Sequence, residues 1–144
     1  MSLLKIWIHA VWPAKNRQPM LNERMRNLLT THITDYGKLK NILIDSLSVC
    51  PEHVHCLFRL SNDQSPNMVI QLIKGESALW INKNLTPAPK FEWDREFIAV
   101  SIGESQVVQV RDYITSQIQV HPGKTFEEEY REFIARYNFD QPNQ

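Results

Sequence analysis

Two histidines one residue apart, His53 and His55, lie in the run Pro51-Glu52-His53-Val54-His55-Cys56-Leu57-Phe58. The run reads as a β-strand over 53–60. Successive side chains of a strand point to opposite faces, so the two imidazoles share one face while Val54, Cys56 and Phe58 turn toward a core. Two co-facial imidazoles on a rigid strand make half of a site for a divalent cation. The same pattern also describes two half-exposed histidines with no ligand, so it needs a second signal.

That signal is Val110-Arg111-Asp112-Tyr113-Ile114-Thr115-Ser116-Gln117. The spacing is helical, and residues four apart stack on one helix face, which puts the phenol of Tyr113 beside the amide of Gln117. An ordinary amphipathic helix with Tyr at its border would look similar. Taken jointly, the segments offer two imidazoles and an amide oxygen for a cation, and a phenol as nucleophile.

With these residues in place, the chain resembles the single-tyrosine HUH transposases of small bacterial insertion sequences, the insertion sequence two hundred group and its REP-associated relatives. HUH there means His, a bulky hydrophobe, His, which His53-Val54-His55 fits; Tyr113-x-x-x-Gln117 fits the nucleophile and third ligand. The likeness extends through His9-Ala10-Val11-Trp12-Pro13-Ala14-Lys15-Asn16-Arg17, Ile73 to Asn82, Phe91 to Phe97 followed by Ala99-Val100-Ser101, and Lys124 to Tyr130. It departs at Pro13, where relatives carry Ser or Thr, and at Asp94-Arg95-Glu96, an acidic patch close to Trp93.

The resemblance implies a DNA strand nickase and transferase that works through a 5′-phosphotyrosine on Tyr113, on single-stranded DNA marked by a hairpin at an element's end. It implies Mg2+ or Mn2+ on His53, His55 and Gln117. It also implies a homodimer in which the tyrosine helix can reach the partner's histidines; the sequence leaves cis or trans placement open, with His121-Pro122-Gly123 as the candidate hinge. Candidate phosphate contacts are Lys5, Lys15, Arg17, Lys74 and Lys83. His9 points from the first strand toward the metal; His32 and His121 read as structural or solvent-facing. Two alternatives stand beside this reading: a domesticated DNA- or RNA-binding protein that does not cut, and a metal-dependent phosphoesterase for small substrates.

The elements that must position these residues follow from the patterning. Strands are expected over 3–12, 39–49, 53–60 and 97–102. Helices are expected over 21–36 with Gly37 as C-cap, from Ser65 as N-cap to about 84, from 104 to about 120, and from Thr125 to about 137 with Glu128 closing a capping box. Gly75, inside the second helix, implies a close approach of another backbone or of DNA. The order β-α-β-β-α-β plus C-terminal helices is that of an α+β, ferredoxin-like or RRM-like antiparallel sheet with helices mainly on one face, leaving the other open. We expect one domain over 1–144, with its C-terminal helical extension over about 104–138.

Composition agrees with a globular chain: 144 residues, 42% apolar and 22% charged. No apolar run nears the roughly 20 residues of a membrane span, and the N-terminus reads as a strand rather than a signal peptide, so a cytoplasmic protein is expected. Cys50 and Cys56 sit about 20 Å apart along an extended strand, too far for a disulfide; a Cys/His zinc site lacks CxxC spacing. Net charge is zero but unevenly spread: residues 1–40 hold seven basic and two acidic side chains, residues 91–144 five basic and ten acidic. The first part could face phosphates.

Overall fold

A computed structural model describes residues 3–119 and 125–137. Its elements run β1 (Ile6–Pro13), α1 (Glu23–Leu39), β2 (Leu43–Val49), β3 (His53–Leu60), α2 (Pro66–Asn84), β4 (Ile98–Ile102), α3 (Val107–Gln119) and α4 (Phe126–Tyr137), with short 3-10 turns at Lys15–Arg17 and Glu104–Gln106. The sheet order is β2-β3-β1-β4, and every neighbouring pair is antiparallel. This is the expected split unit, with the His-x-His strand in the centre.

Local signals act where the sequence places them. The Ser65 hydroxyl accepts the Met68 amide at 3.1 Å and opens α2, with Pro66 in its first turn. Thr125 and Glu128 exchange hydrogen bonds at the start of α4. Gly37 does something else. It lies within α1, which runs on to Leu39 and is capped at Lys40. A Cβ there would meet Ile44 Cδ1 at 2.8 Å and the Ile42 carbonyl at 3.2 Å, so this glycine lets β2 cross closely. The extra helical residues also delay the second strand, which starts at Leu43 rather than 39.

Strand alternation then builds two cores. Ala10, Trp12, Cys56 and Phe58 face α1 and α2, where Leu29, Ile33, Ile70 and Ile73 close a cluster of buried side chains. On the second face, Trp7, Leu57 and Ile102 pack on Val107, Val110 and Ile114 of α3. Val11 and Ile98 pack there on Phe126 and Phe133 of α4. The face that the split unit alone would leave open is therefore covered by the two C-terminal helices. Burying each phenylalanine contributes about 2–3 kcal/mol, enough to hold a short helix against a sheet. Among the described residues, no helix is long and apolar enough to cross a membrane.

Gly75 differs from the expectation: it is exposed, and a Cβ on it would meet nothing within 4 Å. Among the described residues, no backbone approaches it; the alternative, an approach of DNA, stays open. Gly75→Ala is therefore expected to raise stability by about 1 kcal/mol, while the same change at Gly37 gains less because Ile44 must move. Urea unfolding of both variants measures this; equal gains would contradict the close crossing at Gly37.

Candidate functional site

The β1–β3 register pairs Val11 with His55 and Pro13 with His53, and sets His9 opposite Leu57. All three histidines thus point to the second face, under α3 and α4. His53 and His55 have no exposure, and His9 is 3% exposed. Their rings form a row, with His55 5.2 Å from His53 and 5.4 Å from His9, and His9 Nε2 shares a hydrogen bond with His55 Nδ1 at 3.1 Å. Desolvation, reinforced by the neighbouring His55, brings the His9 and His53 pKa down to about 3. Both are neutral near pH 7, the form of imidazole that binds a metal.

The helices add the oxygen groups. Tyr113 on α3 lies edge-on to His55, ring centroids 5.7 Å apart. Its hydroxyl donates to Glu129 Oε2 on α4 at 2.5 Å. The other oxygen, Glu129 Oε1, is 3.3 Å from His55 Nε2. Burial raises the Glu129 pKa, but the adjacent His55 imidazole and the Tyr113 hydroxyl outweigh it and bring the carboxyl down to about 2. Burial, and then the Glu129 carboxylate, push the Tyr113 phenol up. Gln117, one turn beyond Tyr113, is 8% exposed.

These groups fit a cation. Donor atoms of His53, His55 and Glu129 lie within 4.8 Å of one another. Both ring nitrogens of His53, His55 Nε2, Gln117 Oε1 and Glu129 Oε1 are buried without a hydrogen-bond partner. Each such atom costs about 1–3 kcal/mol, and those of His53, His55 and Glu129, gathered in one cluster, call for a common partner. Imidazole nitrogens with amide and carboxylate oxygens form a mixed set that suits a divalent metal.

Comparison with known proteins places this geometry in a family. The model of the IS200-like transposases matches residues 2–117. The chain belongs to that family. It is similar to the ISDra2 transposase TnpA of Deinococcus radiodurans, 22% identical over 117 residues that cover 76% of this chain and 81% of the relative. Two solved structures share the fold. A crystal structure of a chain assigned as a transposase in Deinococcus radiodurans has a TM-score of 0.65 and 21% identity, covering 81% of this chain and 93% of that one. A REP-associated tyrosine transposase bound to a REP hairpin has a TM-score of 0.60 and 20% identity, covering 97% and 89%.

In this IS200-like transposase, Glu129 lies beyond the matched segment, on α4. In the sequence, Glu127-Glu128-Glu129 is also explained as an ordinary helix start, where the macrodipole favours acids. The signal was present in the spacing: Phe126, Glu129 and Phe133 line one buried stripe, with an acid where an apolar residue belongs. Glu52, directly before the His-x-His, adds a tether by accepting the Phe126 amide at 2.7 Å.

The expected phosphate contacts are dispersed. Lys5 pairs with Glu104 at 2.9 Å and Lys15 with Glu92 at 2.7 Å. Arg17 pairs with Glu96 and Glu127 and lies over the Phe126 ring. Lys74 is 6% exposed, and its ammonium donates to the Asp94 carbonyl at 2.7 Å, a structural engagement. Lys83 sits in the last turn of α2. His32 stacks on Trp80 and meets Glu76, a structural role as expected. Cys50 and Cys56 are buried and free. His121-Pro122-Gly123 lies outside the described residues.

Tyr113→Phe would leave Glu129 Oε2 without this donor in a closed site. The expected cost is about 1–3 kcal/mol, read as a lower midpoint in urea unfolding; an unchanged midpoint would show that the Tyr113–Glu129 bond contributes nothing to holding α3 and α4 together.

Proposed function

We propose that this transposase nicks and transfers single-stranded DNA at hairpin-marked element ends, in the cytoplasm, through a covalent bond to Tyr113. The observation that carries the reading is the Tyr113 hydroxyl held on Glu129 beside His53 and His55, all within one chain. The hairpin as substrate is supported by the fold neighbour bound to one. His53, His55 and Gln117 are the residues that would hold Mg2+ or Mn2+, whose chemistry when bound is Lewis-acid polarisation of the scissile phosphate.

The chain's own part is then positional. The Tyr113 oxygen attacks phosphorus as its proton passes to the Glu129 carboxylate it already contacts; its O–P bond forms as the P–O3′ bond breaks, and the 3′ oxygen takes a proton from water and leaves as a hydroxyl. The tyrosyl link is itself a phosphodiester, so attack on it by a strand's 3′ hydroxyl exchanges one phosphodiester for another, and the same residues can rejoin strands without ATP. The neutral imidazole of His53 keeps its lone pair available, and the covering of α3 and α4 limits water that would hydrolyse the link. Because Tyr113 meets the histidines of its own chain, the site can assemble in cis; the homodimer would carry two such sites without exchanging α3.

The test is a denaturing gel of protein mixed with hairpin-bearing single-stranded DNA and Mg2+ or Mn2+. The expected result is a covalent protein–DNA band that Tyr113→Phe abolishes and His53→Ala or His55→Ala strongly reduces. Cleavage without an adduct, retained in Tyr113→Phe, would instead favour a phosphoesterase; DNA binding without cleavage would favour a non-cutting nucleic-acid binder.

A further inference from the structure

Resting on that reading, we infer that Glu129 is a donor to the cation, alongside His53, His55 and Gln117, and that the same carboxylate aims Tyr113 at it. Three observations carry this. The first is distance. Donors bound to one ion at roughly 2.0–2.2 Å stand about 2.8–3.6 Å apart across tetrahedral or octahedral angles. Glu129 Oε1 and His55 Nε2 are 3.3 Å apart, yet neither has a hydrogen-bond partner. That spacing suits two ligands of one ion as well as an ion pair, and the unpartnered nitrogens of His53 in the same cluster favour a shared ion.

The second is direction. Glu129 has no exposure, and its two oxygens face different groups: Oε2 accepts from Tyr113 while Oε1 is turned to the histidines. A carboxylate used this way would hold the phenolic oxygen close to the cation and so orient the nucleophile.

The third is charge. His53, His55 and Gln117 include no carboxylate, so without Glu129 the set has no acidic side chain to offset a divalent ion. The donor comes from α4, beyond the segment the family model matches, and is held there by Phe126 and Phe133 in the second core. It is therefore a feature of this chain's own C-terminal helix.

Binding of Mn2+ to the purified full-length protein, followed by the loss of the free-ion electron paramagnetic resonance signal, tests the inference without depending on turnover. Wild type is expected to bind, and His53→Ala to abolish binding. Glu129→Gln, which keeps size and an oxygen for Tyr113, is expected to weaken binding by on the order of tenfold to a hundredfold; Glu129→Asp is expected to recover part of the loss. Circular dichroism shows whether each variant is folded, and Glu129→Asp serves if the Gln variant is not. Glu129→Gln binding Mn2+ as tightly as wild type, or more tightly, would overturn the inference and leave a site of His53, His55 and Gln117. Failure of the wild type to bind would overturn the metal reading itself.

Discussion

A fully buried carboxylate organises the second face of this protein. Taking an ionised Glu out of water costs several kcal/mol unless partners replace its hydration. Glu129 accepts from a phenol on α3 through Oε2 and turns Oε1 to an imidazole of β3 3.3 Å away. The interaction joins three elements far apart in sequence. It can form only when β3, α3 and α4 are all in place, so the groups that could perform chemistry are assembled by the completed fold rather than by any one segment.

The sheet makes that assembly possible. In the β1–β3 ladder, one residue of slip would send His53 and His55 to the opposite face, into the apolar core with α1 and α2. That core opposes the slip, because Val54, Cys56 and Phe58 would have to leave it. The register is thus fixed on one face and read out on the other. The helices above complete the division: Val107, Val110 and Ile114 anchor α3 at one side, Phe126 and Phe133 anchor α4 at the other, and the polar groups meet between these apolar anchors.

The order of elements, the central place of the His-x-His strand and the pairing of Tyr113 with Gln117 on one helix were legible because each follows from a short-range period. Helix and strand periods say which residues share a face, and caps such as Ser65 and Thr125 say where elements begin. Glu129 was not legible in that way. Its meaning depends on which face α4 turns to the sheet, and an acid at the start of a helix has a sufficient explanation in the macrodipole. The use of Gly37 was hidden for the same reason, since a glycine near a helix end looks like a cap until a crossing strand is seen. The covering of the second face by α3 and α4 is a tertiary fact that the split-unit pattern alone does not contain.

The uneven charge of the chain takes on a specific meaning once the fold is known. Three basic side chains of the first forty residues are paired: Lys5 meets Glu104, Lys15 meets Glu92, and Arg17 meets Glu96 and Glu127. In these pairs the basic first part of the chain meets acids from its later, acidic part. Exposed ion pairs of this kind contribute little to stability because water and salt already screen them. Their partners are correspondingly easy to replace, and a phosphate offers a Lys or Arg the same geometry as a carboxylate with more charge. A chain of zero net charge can in this way keep its cations ordered in the free protein and still yield them to a nucleic-acid backbone. Lys74 is the exception, because its buried ammonium is bound to carbonyls of the segment around Trp93 and its withdrawal would undo local structure.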